Sequence, residues 1–341
     1  MTSAGPDHIM RVAIGYGVSK ALLSAVGLGL YTRLAESPMT LDEIMAEYGL
    51  RRRPAMDFLD LLVSVDMLGR DGDGPDARYR NTTATGAYLD RNKPDYIGGI
   101  LELWEARNYR FWADIGEAFK TGEPQNESKA AGTPFFETLY SEPARLEAFM
   151  DAMNGSSRHN FEKLAEVFPF DNYKTLSDIG GADGLLSRCV AARHPHLRCT
   201  SFDLPNVTEI AKKKIAADGL SDRIETVSGD FFSDPLPPAD IITMGMILHD
   251  WNLEQKKALV KKAYDALAEG GAFITVEALI DDARRENTFG LFMSLTMLME
   301  FGDRAFDFTG AEFREWCGEA GFSRFEIIPL VGPSSAAIAY K

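Results

Sequence analysis

Cysteine is scarce in this sequence. Only three of its 341 residues are cysteine, namely Cys189, Cys199 and Cys317. Their spacing matches neither the closely spaced pairs of a zinc site nor the disulfide framework of a small secreted domain. We therefore expect unpaired thiols, no bound metal and a location in a reducing compartment, the cytoplasm.

Positive charge is also in short supply. Lysine and arginine together number 36, against 51 aspartate and glutamate residues, so the formal net charge is −15. A protein whose main partner is DNA or RNA normally presents a basic surface. The three arginines at 51–53 form the one basic cluster in the first hundred residues. Nucleic acid is therefore not expected as a partner.

No apolar segment is both long and free of charge. Residues 12–30 come nearest, but they contain Lys20 and four glycines, which favours a buried helix over a membrane span. A helix that is apolar nearly all round needs more than one surface to cover it. A second copy of the chain can supply that surface, so a homodimer is expected. The chain also starts without the basic-then-apolar pattern of a secretory signal, and no membrane partner is expected.

The first hundred residues follow the pattern helix, turn, helix, β-hairpin. Thr40 and Glu43 form a capping box for a helix over 41–48, and two short strands joined by a polar turn are predicted within 68–80. This is the pattern of a winged helix, which binds DNA in regulators. The acidic composition favours dimerisation instead, so residues 1–100 are interpreted as an all-α winged-helix dimerisation domain.

Beyond residue 100 the pattern changes twice. Residues 101–170 are predicted to be helices rich in aromatic side chains, a connector that contributes to the substrate pocket. From 171 to 341 short strands alternate with helices. Strands are predicted at 175–179, 198–202, 224–228, 239–244, 271–276, 322–330 and 335–340. Helices are predicted at 184–193, 206–218, 254–268, 286–301 and 310–320. The alternation predicts an α/β fold with a Rossmann-like, doubly wound sheet of seven strands.

Glycines and acidic residues stand where the first four strands of this domain end. They fall at 178–181, 203, 229–231 and 249–251. Ligands of open α/β sheets bind beyond the carboxyl ends of the strands, so these groups are expected around one ligand. A glycine turn followed by an acid about 20 residues later also fits NAD. The second acid and the His-Asp-Trp motif favour an adenosine that carries a sulfonium, which is S-adenosylmethionine.

In this order the four motifs resemble those of the S-adenosylmethionine-dependent small-molecule O-methyltransferases. That family includes the plant caffeate, the acetylserotonin and the bacterial antibiotic-pathway enzymes. The likeness extends over nearly the whole chain, because the N-terminal part resembles the dimerisation domain of the family. It implies methyl transfer to a hydroxyl group of a small aromatic secondary metabolite. One position departs from the family, since Ala182 stands where the third of three consecutive glycines is usual.

Nine residues are candidates for cofactor binding. Asp178 is expected to accept a hydrogen bond from the amino group of the cofactor, and Asp203 to accept both ribose hydroxyls. Gly180 and Gly181 let the backbone approach the ligand because they lack a Cβ atom. The remaining candidates would hold adenine or complete the walls of the site: Leu204, Asp230, Phe231, Met244 and Gly245.

His249 is the candidate general base. It is the one histidine at a predicted strand end on the cofactor side, and an ordinary pKa near ~6.5 suits proton removal. A phenol has a pKa near ~10, so a base assists its attack on the methyl group at neutral pH. The resemblance implies two acids that orient the imidazole. They are Glu277, directly after the fifth strand, and Asp307, where the family usually has glutamate.

Four residues are candidates for contact with the acceptor. Asp250 is expected to hydrogen-bond substrate or backbone, and Trp251 to pack the base in place. Met153 and Met297 match positions at which the plant enzymes hold an aromatic substrate between two thioethers, and sulfur packs well against ring edges.

Three alternatives remain at this stage. On the same fold His249 can instead remove a proton from an acidic carbon, which would give C-methylation of a 2-oxo acid. Some relatives bind the cofactor without methyl transfer. A winged-helix regulator that senses a small molecule is disfavoured by the charge and by the intact base.

Overall fold

The structure is a computed structural model that describes residues 5–127, 129 and 143–341, excluding the side chains of residues 143 and 144. The predicted connector at 101–170 therefore lies partly outside the described residues. The chain folds into two compact units. The first comprises Met1–Arg110 and Asp151–Ser156, and the second comprises Phe111–Met150 and Ser157–Lys341.

The first unit consists of short helices and a small sheet. Its helices are α1 (Pro6–Ala13), α2 (Gly15–Gly27), α3 (Leu30–Glu36), α4 (Leu41–Tyr48), α5 (Arg52–Ser64), α6 (Thr83–Tyr88) and α7 (Gly98–Leu103). Its strands β1 (Met39–Thr40), β2 (Gly69–Asp71) and β3 (Arg78–Arg80) form an antiparallel sheet in the order β1-β3-β2. The capping box of α4 is present, because Thr40 and Glu43 each accept a hydrogen bond from the other's backbone N–H.

Residues 12–30 do not form the single buried helix that their apolar pattern predicted. They are divided between α1, α2 and the start of α3, and α1 buries none of its side chains. Val12 is 68% exposed and Tyr16 is 73% exposed. The prediction of a single helix was wrong because the helical stretch is interrupted at Ile14 and at Gly29, which has a φ of +71°. Burial of the exposed apolar side chains by a second copy of the chain stays a prediction. By length and composition alone the helical stretch Pro6–Gly27 is able to cross a membrane, but the core helix of a soluble protein and a signal sequence pass the same test.

The second unit is built on a seven-stranded sheet, as predicted. Its strands are β4 (Thr175–Ile179), β5 (Arg198–Asp203), β6 (Ile224–Ser228), β7 (Ala239–Gly245), β8 (Leu267–Glu277), β9 (Arg324–Pro329) and β10 (Ser335–Tyr340). They are ordered β6-β5-β4-β7-β8-β10-β9. The first five are parallel and β10 runs antiparallel to both β8 and β9. The Rossmann-like fold is thereby confirmed.

Helices cover both faces of this sheet. The remaining α-helices in the described part of the chain are α8 (Tyr109–Phe111), α9 (Ile115–Thr121), α10 (Pro143–Val167), α11 (Leu185–Arg193), α12 (Pro205–Ala217), α13 (Leu253–Ala266), α14 (Thr288–Phe301) and α15 (Gly310–Ala320). Successive strand residues point to opposite faces. Ile241 and Ile274 accordingly join one apolar cluster, whereas Ile242 and Phe273 join the other.

The order of the strands determines where a ligand can bind. From β4 the chain continues to β5 and β6 on one side, and then returns to β7 and β8 on the other. A crevice forms at the carboxyl ends of the strands where the order reverses in this way. The turn after β4 and the segments after β5, β7 and β8 therefore meet at one edge of the sheet, which carries most of the candidate residues.

Candidate active site

The glycine turn after β4 has no room for side chains. A Cβ atom on Gly180 would lie 2.5 Å from Ile247, and one on Gly181 would lie 2.5 Å from Ser201 Oγ. Gly180 also has a φ of +68°, in the left-handed region that glycine adopts without penalty. Ala182 shares this conformation with a φ of +49°, which is strained for a residue with a Cβ atom.

Asp203 ends β5 directly opposite this turn. Its Oδ2 accepts a hydrogen bond from Ala182 N at 2.9 Å, and its Oδ1 accepts one from Leu204 N at 2.7 Å. Burial raises the pKa of Asp203 to about 6, against the lowering effect of these two hydrogen bonds. The carboxylate is thus fixed in orientation and keeps further lone pairs for a ligand.

Asp178 lies deeper, at 2% exposure within the sheet. Its Oδ1 accepts a hydrogen bond from Thr243 Oγ1 at 2.8 Å, and its Oδ2 accepts one from Ser187 Oγ at 3.4 Å. Burial raises its pKa to about 7, although both hydroxyls favour the charged form. The structure therefore ties Asp178 to the neighbouring strand and to α11, directly beneath the glycine turn.

Asp230 and Phe231 follow β6. Asp230 accepts hydrogen bonds from Phe232 N at 2.8 Å and from Ser233 Oγ at 3.2 Å, so its carboxylate shapes a tight turn. The ring of Phe231 approaches the Cβ position of Gly180 to 3.6 Å. The turn after β6 and the turn after β4 therefore meet, as a shared ligand requires.

The other three cofactor candidates occupy different environments. Leu204 precedes α12 and packs against a small apolar cluster around Val207. Met244 is fully buried in the sheet core. A Cβ atom on Gly245 would lie 3.0 Å from the ring of Phe161, on the packed side of the strand. Only the backbone of the last two residues is left to face a ligand.

His249 lies in a short 3-10 turn after β7, at 5% exposure. Its Nδ1 is 2.5 Å from Glu277 Oε2 at the end of β8. Glu277 Oε1 in turn accepts hydrogen bonds from Leu248 N at 3.1 Å and Thr275 Oγ1 at 3.3 Å. A carboxylate on Nδ1 fixes the orientation and tautomer of an imidazole and leaves Nε2 for chemistry.

Two more carboxylates approach the imidazole. Asp250 Oδ1 is 3.3 Å from His249 Nε2. Asp307 is brought close by the segment before Thr309, which pairs with Ile280 just beyond β8. The Oδ2 atom of Asp307 is buried and has no hydrogen-bond partner among the described residues. The structure thus brings together His249, Glu277, Asp250 and Asp307.

The charged side chains in this cluster shift one another's pKa values. Burial alone would lower the pKa of His249, but Glu277 and Asp250 raise it to about 10. Burial raises the pKa of Asp250 to about 6 and that of Asp307 to about 7, and the charge of His249 opposes both changes. His249 therefore retains its proton at neutral pH while these carboxylates face it.

Three side chains of this cluster are close enough together to hold a metal ion. The ligand atoms of His249, Glu277 and Asp307 lie within 4.8 Å of one another. The Nδ1 atom of His249 is already engaged with Glu277 at 2.5 Å. A nitrogen in that contact bears the proton of the hydrogen bond and cannot ligate an ion. We therefore interpret the three side chains as an acid–base cluster.

The candidate acceptor contacts are spread over several elements. Trp251 stacks edge-on against Phe231 and Phe232, at centroid distances of 5.7 and 4.6 Å. Met297 is buried on α14. Met153 lies on α10 and belongs to the first unit, so its role as an acceptor contact stays a prediction.

One buried polar group near the cluster, Lys256, was missed in the sequence, and the contact made by a second, Glu300, could not be predicted from it. Lys256 on α13 is completely buried, and its spacing from the buried Leu259 and Val260 is a signal that could have revealed it. Glu300 at the end of α14 accepts a hydrogen bond from Asn126 Nδ2 at 2.8 Å. That contact joins residues far apart in the sequence, so no local pattern predicts it.

Fold and site together define a class of enzyme. The glycine turn, Asp203 and a buried His–Glu pair lie at the same edge of a seven-stranded sheet, which is the arrangement of a methyltransferase that uses S-adenosylmethionine. Residues 112–323 match the O-methyltransferase domain family, and residues 10–91 match the O-methyltransferase dimerisation domain family. The chain belongs to the S-adenosylmethionine-dependent O-methyltransferases, and S-adenosylmethionine is its cofactor.

Individual relatives agree with this assignment. The chain is 38% identical over 340 residues to the tetracenomycin polyketide synthesis 8-O-methyl transferase TcmO of Streptomyces glaucescens, with 99% of this chain and 97% of that protein covered. It is 35% identical over 275 residues to the N,N-dimethyltransferase OxyT of Streptomyces rimosus, covering 81% and 79%. The structure of human N-acetylserotonin methyltransferase in complex with SAM is similar with a TM-score of 0.88, at 27% identity and with 100% and 99% coverage.

Proposed function

We propose that this enzyme transfers the methyl group of S-adenosylmethionine to a hydroxyl of a small aromatic metabolite, with His249 as general base. The contact of 2.5 Å between His249 Nδ1 and Glu277 carries the proposal. It directs Nε2 away from the sheet, where an acceptor can reach it. A base at that atom converts a weakly nucleophilic phenol into a phenolate at the moment of attack.

The acceptor hydroxyl competes with Asp250 for the imidazole. Asp250 Oδ1 lies 3.3 Å from Nε2 in the structure. When the acceptor displaces the Asp250 carboxylate, one negative charge moves away from the His249 imidazole. The positive sulfonium of the cofactor acts in the same direction. Both changes lower the pKa of His249 and release its proton before methyl transfer.

The remaining roles follow from the same geometry. Asp203 binds the ribose hydroxyls, Asp178 supports the end of the cofactor that carries the amino group, and Phe231 covers adenine. Further assigned to the cofactor are Gly180, Gly181, Leu204, Asp230, Met244 and Gly245. Assigned to the acceptor side are Met153, Asp250, Trp251 and Met297, while Glu277 and Asp307 orient His249.

Aromatic polyketides are the acceptor class we favour. The relative with 38% identity is named for an 8-O-methyl transfer in polyketide synthesis, and the apolar helix α14 supplies buried surface near the cluster. Transfer to an amine is the second candidate, because the relative with 35% identity is named an N,N-dimethyltransferase.

An assay with a labelled cofactor tests this proposal. The enzyme is incubated with S-adenosylmethionine labelled in its methyl group and, separately, with polycyclic phenols, aromatic amines and 2-oxo acids. We expect label on a phenolic oxygen, located by NMR of the product. Label on nitrogen or carbon instead would reassign the acceptor atom. Tight cofactor binding without label in any product would favour the role without methyl transfer.

We also propose a cytoplasmic homodimer in which residues 1–100 form a winged-helix dimerisation domain, 101–170 a connector and 171–341 the catalytic domain. The hairpin β2–β3 after α4 and α5 supports the winged-helix description. The exposed apolar side chains of α1 support the dimer, because a large exposed apolar surface normally binds a partner. Arg52 and Arg53 pair with Asp42 and Asp57, which argues against nucleic acid.

Charged residues on α1 should therefore separate the subunits. Ile9 and Val12 lie one helical turn apart and are both 68% exposed. The variant I9D/V12D is expected to be monomeric at micromolar concentration by light scattering, whereas the unmodified protein is dimeric. Phe119, exposed on α9 of the second unit, gives the control F119D, which should remain dimeric. A monomeric unmodified protein that binds lipid vesicles through α1 would contradict the proposal.

A further inference from the structure

A lysine attaches the loop after β6 to helix α13. Lys262 is half-buried on that helix, and its Nζ donates hydrogen bonds to three backbone carbonyls of the loop. The distances are 2.6 Å to Phe231 O, 3.1 Å to Phe232 O and 2.6 Å to Asp234 O. An ammonium has three protons to donate, so this contact uses its full donor capacity. The lysine therefore holds three peptide groups of the loop in one orientation.

One of these peptide groups connects the lysine to the carboxylate of Asp230. The carbonyl of the peptide between Phe231 and Phe232 accepts from Lys262 Nζ at 2.6 Å. The N–H of the same peptide donates to Asp230 Oδ1 at 2.8 Å. Hydrogen bonds at the two ends of a peptide group polarise and strengthen each other. The positive charge of Lys262 thus makes Phe232 N–H a better donor and acts on Asp230 through that peptide.

The other contacts of Asp230 agree with a carboxylate of fixed direction. Its Oδ2 accepts a hydrogen bond from Ser233 Oγ at 3.2 Å, and its backbone N–H donates to Asp234 Oδ2 at 2.8 Å. A carboxylate oxygen has two lone pairs, so each oxygen of Asp230 can still accept a hydrogen bond from a ligand. The loop therefore presents an anionic acceptor whose orientation is set before a ligand arrives.

Helix α13 also holds the aromatic side chains of this loop. Trp251, just before the helix, packs edge-on against the rings of Phe231 and Phe232. The helix start itself is fixed, because Asn252 Oδ1 accepts a hydrogen bond from Gln255 N at 2.9 Å. The loop is thus attached to α13 by its rings near the start of the helix and by its backbone at Lys262.

We propose that Lys262 is a positioning residue for cofactor binding, which fixes the Asp230 carboxylate and the Phe231 ring so that the site selects adenine by its exocyclic amine. This inference rests on the proposed assignment of Asp230 and Phe231 to adenine. An amine donates to a carboxylate, whereas the carbonyl oxygen that hypoxanthine carries in the same place only accepts. A carboxylate that is already oriented discriminates between the two bases better than a mobile one.

The variant K262M tests the proposal, because methionine is similarly long and unbranched but donates no hydrogen bond. Its control is K261M on the same helix, where the lysine is exposed and pairs with Asp265. Two ligands are compared by calorimetric titration of the full-length enzyme. They are the demethylated product S-adenosylhomocysteine and S-inosylhomocysteine, in which an oxygen replaces the exocyclic amine. Neither titration needs an acceptor or turnover.

The unmodified enzyme is expected to prefer S-adenosylhomocysteine. In K262M this preference should fall by about 10-fold, as for the loss of one hydrogen bond to a charged group, mainly through weaker binding of S-adenosylhomocysteine. In K261M the preference should be unchanged. A K262M protein with a lower melting temperature but the full preference for adenine would overturn the proposal and leave Lys262 a merely structural role.

The variant D230N separates this inference from the assignment on which it rests. An amide both donates and accepts, so D230N should lose most of the preference. Loss of the preference in D230N but not in K262M would overturn the role of Lys262 alone. Full preference in both variants would refute the assignment of Asp230 to adenine and the role of Lys262 with it. Absence of methyl transfer to every acceptor, with the preference reduced in K262M, would instead refute the proposed methyl transfer alone.

The variant K262Q covers the case in which K262M does not fold. Its amide supplies N–H groups for the same carbonyls but no positive charge. We expect K262Q to fold and to lose part of the preference, less than D230N loses. A K262Q protein that discriminates between the two ligands as sharply as the unmodified enzyme would contradict the proposal, because the effect on Asp230 depends on the charge of the lysine.

Discussion

Replacement of His249 by alanine or glutamine is expected to reduce turnover by about 10²–10⁴-fold, the usual contribution of a positioned general base. The affinity for S-adenosylmethionine should barely change, because the imidazole is held by Glu277 and the proposed function assigns it to the acceptor and not to the adenosine. Single-turnover kinetics on the acceptor found by the labelling assay, together with calorimetric titration of the cofactor, measure the two effects separately. Turnover of H249A close to that of the unmodified enzyme would refute the assignment.

Variants of the two acids beside His249 are expected to reduce turnover less than H249A does. Glu277→Gln should reduce turnover less than H249A, since it removes only the acceptor on Nδ1. Asp307→Asn should have the smallest effect of the three, because the buried Oδ2 atom of the shorter Asp307 makes no hydrogen bond to the imidazole. A more acidic acceptor should partly rescue H249A, because less proton removal is then needed.

The electrostatics of the cluster predict in which direction kcat/KM changes with pH. The base acts in its deprotonated form, and burial is outweighed by Glu277 and Asp250, which raise the pKa of His249 to about 10. Activity is therefore lost as pH falls through this raised value, and kcat/KM should rise with pH well above the ordinary range of histidine. E277Q removes a negative charge and should move the limb to lower pH. A limb at the ordinary histidine value would contradict the electrostatics of the cluster.

Loss of the Asp203 carboxylate is expected to have the second largest effect. Asp203→Ala removes the carboxylate that we propose accepts the two ribose hydroxyls, and charged hydrogen bonds contribute about 2–3 kcal/mol. The affinity for the cofactor or its demethylated product should fall roughly 30–150-fold. Calorimetric titration with the demethylated product measures this loss without interference from turnover.

Two further variants separate binding from folding in that experiment. Asp203 also accepts the backbone N–H of Ala182, so D203N, which keeps the size of the side chain and one oxygen, should lose less affinity than D203A. Asp265 is exposed and pairs with Lys261, and D265A should bind the cofactor normally. Unchanged affinity in D203A would mean that the ribose binds elsewhere.

Local signals in the sequence were enough for most of the architecture. The helix over Leu41–Tyr48 has the predicted bounds because its start depends only on Thr40 and Glu43, three residues apart. The strands from β4 to β7 lie within a residue of their predicted positions, since apolar runs between turns define parallel strands. The single helix expected at 12–30 was wrong because its apolar pattern runs without interruption through Ile14 and Gly29, where the structure has breaks.

The candidate site was predictable only in part. Motifs at strand ends identified His249 and Asp203, because strand ends converge in any sheet of this type. The proximity of Asp250 to Nε2 and the raised pKa of the base depend on distances that no spacing gives. Lys256 escaped notice because a lysine on a helix normally lies in solvent.

The alanine in the glycine turn has a consequence for the speed of the catalytic cycle. Ala182 is kept in a left-handed conformation, at a cost in folding stability that glycine would avoid. In return the turn has fewer conformations to lose when the nucleoside arrives, so little ordering is needed at that moment. The demethylated product leaves the same rigid turn after each methyl transfer. We therefore expect that dissociation of the demethylated product, and not a conformational change of the turn, limits its replacement by S-adenosylmethionine.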